Sequence, residues 1–355
     1  MKKIVYMMHV DWNWIKQRPH FIAEELAKEH TLTAVYQHRY LRKGFQKRDS
    51  GDIVLKPIYV IPRGDRYPLL RSINDKIKAA AIRYRVKKTK PDVLYATFPE
   101  QVGGISPQYA GMVIYDCMDN YPAFCATAVE RRNIEQQEAA LMLRADAVLV
   151  SSQNLKEKLL ERYGVEHEGK ITLVRNGYNG QLMKPSQEVP SASERYMLAY
   201  FGTISSWFNF DYVLKSLEDF PQLEYLLMGP ADTQIPQHAR IHYIGTVEHK
   251  ELPNVTKDAQ CLVMPFVLNE IIEAVDPVKL YEYINFNKNI LCVKYPEVER
   301  FDPFVYFYTD YESYKQQLTA LMEADHVKYT DEQRQSFLKE NSWASRVQII
   351  EDLLR

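Results

Sequence analysis

The sequence predicts two doubly wound α/β domains, each a parallel sheet covered by helices on both faces. Three observations predict this. Apolar runs of strand length alternate with helix-length segments twice, over residues 3–174 and again over 197–293, and that alternation is the pattern of βαβ units. Runs such as CLVMP at 261–265 and ILCV at 290–293 are continuously apolar, as strands buried on both faces are. A polar stretch at 177–195 with Pro185 and Pro190 separates the two series, and 355 residues suffice for two cores.

In the first domain, expected at 1–176, strands fall at 3–9, 31–36, 54–61, 92–96, 112–116, 147–150 and 171–174. Between them, RPHFIAEELAK at 18–28 has an amphipathic helical period. A basic segment at 69–88, a long one at 126–144 and QNLKEKLLER at 153–162 also read as helices. The linker spans 177–195. The second domain, expected at 196–340, has strands at 197–201, 223–228, 241–244, 261–265 and 290–293. The first three of these run into Gly-Thr, Gly-Pro and Gly-Thr turns. Helices are expected at 210–219, near 250–257, from Pro277, and at 311–324, 331–339 and 343–354. In such sheets ligands bind beyond the carboxyl ends of the strands, so the domains are expected to face each other across a cleft.

The formal net charge of −1 hides a polarity. Residues 1–175 hold 29 Lys and Arg against 20 Asp and Glu, whereas the remainder holds 16 against 26. Within 38–90 the count is 16 basic against 4 acidic, including Arg39, Arg42, Lys43, Lys47, Arg48, Arg83, Arg85, Lys87, Lys88 and Lys90. Two readings stand for this basic lobe: a surface for an anionic partner (nucleic acid, a membrane, a phosphate-bearing acceptor), or a solvated face. Four cysteines without CxxC spacing, two of them in apolar strands, indicate reduced thiols and a cytoplasmic protein. The N-terminus reads as a strand and not a signal peptide, and no apolar run reaches membrane-spanning length. No His, Asp and Glu cluster has metal-ligand spacing, so no metal is expected. His30, His38, His167 and His249 are expected at the surface.

The stretch 261–293 carries the most chemistry. Asp276 stands where an N-cap belongs and Pro277 at the first helical position, followed by an apolar face at Leu280, Tyr283 and Ile284. A helix start at the carboxyl end of a parallel strand gathers unpaired N–H groups and the positive end of the helix dipole. Lys279 in the first turn is unfavourable there unless an anion is bound, and Glu282 lies one turn on. From these residues alone, a phosphate site and an ordinary capped helix with a solvated Lys and Glu stand level.

The succession YDCMDNYPAF, ADAVLVSSQNLKEKL, LVRNGYN, AYFGTISSWFNFD, IHYIGTVEHKEL and DPVKLYEYINFNKNI resembles the GT-B nucleotide-sugar glycosyltransferases. It is most similar to the retaining, metal-independent bacterial branch that builds surface polysaccharides. The resemblance implies two Rossmann-like domains, with the last helix, 341–355, crossing back to the first. It implies that Glu282 binds the nucleotide ribose and that the backbone at Pro277 and Val278, with Lys279, holds the diphosphate. Gly202 and Thr203 would lie under the phosphates, and Gly245, Thr246 and Val247 would read the base. Two departures stand out. Ala274 occupies the place of the first glutamate of the family's pair, with Glu273 one position off, and SSWFNF replaces the usual Arg and Lys after Gly202. Lys279 is a candidate replacement for that charge.

In the N-terminal half, His9 ends the first strand and Arg18 and His20 open the next helix, Arg18 reading equally as a surface residue. Asp116 and Asp119 end a strand where a carboxylate can hold a sugar hydroxyl or steady an oxocarbenium-like charge; Asp119 reads equally as a cap for the segment from Tyr121. With His9, Asp119 and Lys279 as catalytic candidates, the expected activity is transfer of a sugar from a nucleoside diphosphate sugar, UDP- or dTDP-linked, to a glycan or lipid-linked acceptor. No cofactor and no nucleic-acid partner are expected, and the basic lobe offers an anionic membrane a peripheral docking surface. The alternatives are a GT-B sugar-nucleotide epimerase and a non-catalytic glycan-binding relative, which Ala274 keeps open.

Overall fold

The structure is a computed structural model and describes residues 1–38, 48–64, 67–183 and 195–355. Arg39, Arg42, Lys43, Lys47, Pro185 and Pro190 therefore lie outside the described residues. The chain divides into two compact units, residues 1–179 with 343–355, and residues 180–342.

The first unit is built on seven parallel strands: β1 (Lys3–Met8), β2 (Thr31–Gln37), β3 (Val54–Ile58), β4 (Val93–Ala96), β5 (Met112–Cys117), β6 (Ala147–Val150) and β7 (Ile171–Leu173). Their order is β3-β2-β1-β4-β5-β6-β7. Between them run α1 (Arg18–Leu26), α2 (Pro68–Thr89), α3 (Ala128–Arg144) and α4 (Gln153–Tyr163). The second unit has six parallel strands, β8 (Tyr196–Phe201), β9 (Leu223–Met228), β10 (Ile241–Tyr243), β11 (Cys261–Met264), β12 (Asn289–Val293) and β13 (Tyr306–Tyr308). Their order is β10-β9-β8-β11-β12-β13. Its helices are α5 (Phe210–Asp219), α6 (Leu252–Val255), α7 (Val278–Asn285), α8 (Tyr311–Glu323) and α9 (Asp331–Glu340). The final helix, α10 (Trp343–Leu354), packs on α1, with Phe21 and Trp343 stacked at 5.2 Å.

The central strands are buried along nearly their whole length, which is why they read as unbroken apolar runs. The fold class is as the sequence predicts. Strand β13 was not expected: it is three residues of an aromatic stretch that only adds an edge beside β12. Each sheet reverses its order beside its first strand, between β1 and β4 and between β8 and β11. Chain leaves the two strands toward opposite faces there, which opens a crevice at their carboxyl ends. No described helix is long and apolar enough to cross a membrane.

Several local expectations need correction. Pro277, not Asp276, is the N-cap of α7, and no side chain caps the helix. Asp276 is fully withdrawn from solvent and held by Arg300 and by the Tyr281 hydroxyl at 3.3 Å. Arg18 is no surface residue: it is buried, and both Asp116 oxygens accept from its Nε at 3.1 Å. His20 is also buried; its Nδ1 accepts from the Gln17 N–H at the start of α1 and its Nε2 meets the Trp12 carbonyl. Burial, aided by Arg48, lowers its pKa to about 4, so it caps as a neutral ring. His167 is buried, and the His30 side chain is nearly so against Glu351.

Candidate functional site

In the second unit three glycines close the carboxyl ends of β8, β9 and β10. All three have positive φ, at 144° for Gly202, 126° for Gly229 and 73° for Gly245. They are strung together by backbone bonds from Gly202 N–H to Met228 O and from Gly229 N–H to Gly245 O. A Cβ on Gly229 would stand 2.1 Å from the Gly202 carbonyl oxygen, so only glycine allows the two turns to approach this closely. The GP turn at Gly229 was legible as punctuation, but its contact with Gly202 was not.

The helix α7 starts beside this edge, at the β8/β11 switch point. Tyr283 fastens it there. The buried hydroxyl accepts from Phe201 N–H at 3.4 Å and donates to Val263 O at 3.3 Å, tying the helix to both strands. One turn earlier, Lys279 reaches over the Gly202 turn. A Cβ on Gly202 would lie 2.0 Å from Lys279 Cε and 2.8 Å from Nζ. The ammonium also stands 5.9 Å above the Tyr200 ring, whose hydroxyl donates to the Thr203 carbonyl at 2.7 Å. Burial lowers the Lys279 pKa, with Glu282 opposing. Among the described residues, no oxygen accepts a hydrogen bond from this ammonium. Gly202, Thr203, Pro277, Val278 and Lys279 are thus brought together around an uncapped helix N-terminus, a region of positive potential. A cation placed there adds to that potential and leaves the place suited to an anion.

Glu282 lies one turn into α7, partly exposed, and its Oε1 is 3.3 Å from His249 Nε2. That bond raises the His249 pKa. His249 is at the surface as expected, but its tie to Glu282 went unforeseen. Gly245, Thr246 and Val247 follow β10 on the same carboxyl edge. Ala274 is buried in a short 3-10 turn, Ile272–Ala274, and Glu273 beside it is partly exposed.

In the first unit, His9 follows β1 at the β1/β4 switch point. Its N–H donates to Thr97 Oγ1 at 3.1 Å, and its Nδ1 lies 2.9 Å from the same oxygen. Thr97 has one hydroxyl proton, which it gives to Met7 O. Nδ1 must therefore be the donor, and the neutral imidazole then carries its basic lone pair on Nε2. The ring stacks on Phe98 at 5.7 Å and meets Tyr121 edge-on at 6.1 Å.

The two carboxylates after β5 have separate fates. Asp116 is fully buried in its pair with Arg18, with the Tyr95 hydroxyl as a further donor. The charge of Arg18 is held firmly: burial opposes it, but Asp116 outweighs that and raises its pKa. Asp116 is thus committed inward and offers no sugar-facing oxygen. Asp119 is only partly buried, and it does not cap the segment at Tyr121, where Asn120 is the N-cap without a side-chain bond. Burial, reinforced by Asp116 and opposed by Arg18, pushes its pKa up to about 7.

Beneath His9 opens a cavity of about 680 Å³ between α2 and α3, with Phe98, Tyr121 and Phe124 among its walls. Nothing in the sequence pointed to it, because its lining comes from β1, β2, β3, α2, α3 and the turns Pro99–Gly104 and Tyr121–Phe124 together. Among the described residues, no group of three His, Cys, Asp or Glu side chains is placed to hold a metal.

No family model matches this chain. It is 24% identical over 331 residues to TuaH of Bacillus subtilis (strain 168), which carries the name of a teichuronic acid biosynthesis glycosyltransferase; the match covers 83% of this chain and 81% of that one. Its fold is similar to that of sucrose-phosphate synthase from Thermosynechococcus elongatus, with a TM-score of 0.76 at 14% identity, covering 100% of this chain and 98% of that one. It is also similar to Anabaena HepE solved with UDP-glucose, with a TM-score of 0.68 at 13% identity, covering 100% and 99%.

Proposed function

We propose, for a chain with the fold of the GT-B glycosyltransferases, that it moves a sugar from a nucleoside diphosphate sugar onto a glycan or lipid-linked acceptor in cell-surface polysaccharide synthesis. One observation carries this reading: Lys279, without an acceptor among the described residues, is poised over Gly202 at the uncapped start of α7. A diphosphate fits that place by charge. Its oxygens take the helix N–H groups and the ammonium, while the absent Gly202 side chain leaves room for Lys279 to lie over the turn. Glu282 accepts from the ribose hydroxyls in place of His249, and the backbone of Gly245, Thr246 and Val247 meets the base. The Anabaena neighbour was solved with UDP-glucose, which supports a UDP- or dTDP-linked donor.

As the glycosidic bond to the diphosphate breaks, negative charge grows on the leaving oxygen. The fixed ammonium and helix dipole stabilise that charge more than the ground state, the condition for lowering the barrier. The acceptor hydroxyl attacks from the face the diphosphate leaves, and its proton passes to the diphosphate oxygen, giving retention. No divalent ion is needed for this charge balance. In the first unit, His9 lies toward the acceptor, and Asp119, about half protonated near neutral pH at its raised pKa, hydrogen-bonds the sugar.

The exposed face of α2 fits a peripheral membrane contact. Leu69, Ile73 and Tyr84 are exposed along it and alternate with exposed Lys76, Arg83, Lys87 and Lys88, a mixture suited to anionic headgroups.

The test is nucleotide release from UDP- and dTDP-sugars, with and without glycoside acceptors. Release that depends on acceptor and is lost in Lys279→Ala is expected. Conversion of free donor to its epimer would support the epimerase alternative instead. Inertness toward every donor would support a non-catalytic glycan binder.

A further inference from the structure

The cavity of the first unit has an unusual distribution of charge. Its charged lining residues are paired with one another: Arg71 meets Glu130 at 2.8 Å, and Lys78 bridges Asp75 at 3.0 Å and Glu100. Three carboxylates thus face two cations. The other basic residues of α2, Lys76, Arg83, Arg85, Lys87 and Lys88, are absent from this lining.

Apart from His9, and from Gln101, whose oxygen accepts from Thr97 and Phe98 N–H, the remaining polar lining includes four amides. Gln37 ends β2, and Asn133, Gln136 and Gln137 lie on one face of α3, spaced three and four residues apart. Among the described residues these four amides make no intramolecular hydrogen bond. Each amide offers a donor and an acceptor together, which is what a sugar hydroxyl requires. The apolar walls combine aliphatic side chains such as Met8, Val35 and Ile82 with three rings, Phe98 and Tyr121 packed edge-on at 4.8 Å and Phe124 half exposed. Flat rings beside amides match a pyranose, with its C–H faces and its rim of hydroxyls. Among the described residues, an incoming carboxylate or phosphate finds both lining cations already paired and meets three carboxylates, a like-charge placement that disfavours binding.

We propose that this cavity holds an uncharged pyranose as the terminal sugar of the acceptor, and that it rejects uronates and phosphorylated sugars. Any phosphate of a lipid-linked acceptor stays outside, toward the basic face of α2. This inference rests on the transferase reading and specifies which acceptors that reading permits.

The experiment is saturation-transfer NMR on the full chain with the methyl glycosides of glucose, galactose, N-acetylglucosamine, N-acetylgalactosamine and glucuronic acid. At least one neutral glycoside is expected to receive saturation, and the glucuronide none. Gln137→Ala should weaken the neutral ligand roughly three- to tenfold, the loss of one neutral hydrogen bond. Gln137→Lys, at a partly exposed helix position, should admit the glucuronide. Binding of the glucuronide by the wild type as well as a neutral sugar, or binding of no glycoside, overturns the proposal. Thermal shift by UDP in the same samples reads the donor site separately, so its failure would count against the transferase reading and not against this cavity alone.

Discussion

Gly202 and Asp119 show how single residues set the terms of each site. Because Gly202 has a φ of 144° and no room for a Cβ beside Lys279, Gly202→Ala has two consequences. It strains the turn and drives the ammonium off its station over the proposed phosphate place. Its donor affinity should therefore fall toward that of Lys279→Ala, and calorimetry on both variants tests the equivalence; a Gly202→Ala protein that binds UDP normally would show that the contact has no role. Asp119 behaves differently. Its folded pKa is raised to about 7 from the usual carboxylate value near 4, so between those limits the folded state binds more protons than the unfolded one. This group's contribution to stability is therefore present below about pH 4 and is lost as pH rises toward 7. Asp119→Asn removes that dependence, and its melting temperature relative to the wild type should be higher at pH 8 than at pH 5. An equal difference at both pH values would mean that the carboxyl is well solvated.

At the scale of elements, the switch points are built by buried ties that few sequence signals mark. Asp116→Ala would leave the Arg18 guanidinium, at the first position of α1, buried without its carboxylate partner, which costs about 3–5 kcal/mol. A lowered urea midpoint measures this; no change would mean that water replaces the pair. Helix α2 works outward. Reversing Arg83, Arg85, Lys87 and Lys88 to Glu should abolish co-sedimentation with phosphatidylglycerol vesicles at low salt, and the wild-type binding should itself fade as salt rises. Unchanged sedimentation would make that charge a solvated face. The sequence made most elements legible, because α10 and the buried strands carry strong helical periods or unbroken apolar runs. It missed β13, whose three residues gain strand structure only by pairing with β12. It also put the start of α7 one residue early, since Asp276 looks like a cap but is drawn away by Arg300. Arg18 and Asp116 stand 98 residues apart, and no local pattern announces such a pairing.

For the whole molecule, the proposed donor side was more legible than the proposed acceptor side. The place around Lys279 and Glu282 is assembled from one helix and the turns after consecutive strands, so short motifs record it. The first unit's cavity is assembled from scattered residues of seven elements, whose proximity is a property of topology. The account as a whole stands on a donor nucleotide held by charge already present in the protein. The most direct measurement is calorimetric titration of UDP and dTDP in excess chelator, on the wild type and on Glu282→Ala. The account predicts that the wild type binds at least one of them without divalent metal. It also predicts that Glu282→Ala weakens that binding roughly ten- to hundredfold, the loss of a charge-assisted hydrogen bond of about 1.5–3 kcal/mol. Binding that appears only when manganese or magnesium is restored, or an affinity unchanged in Glu282→Ala, would contradict it.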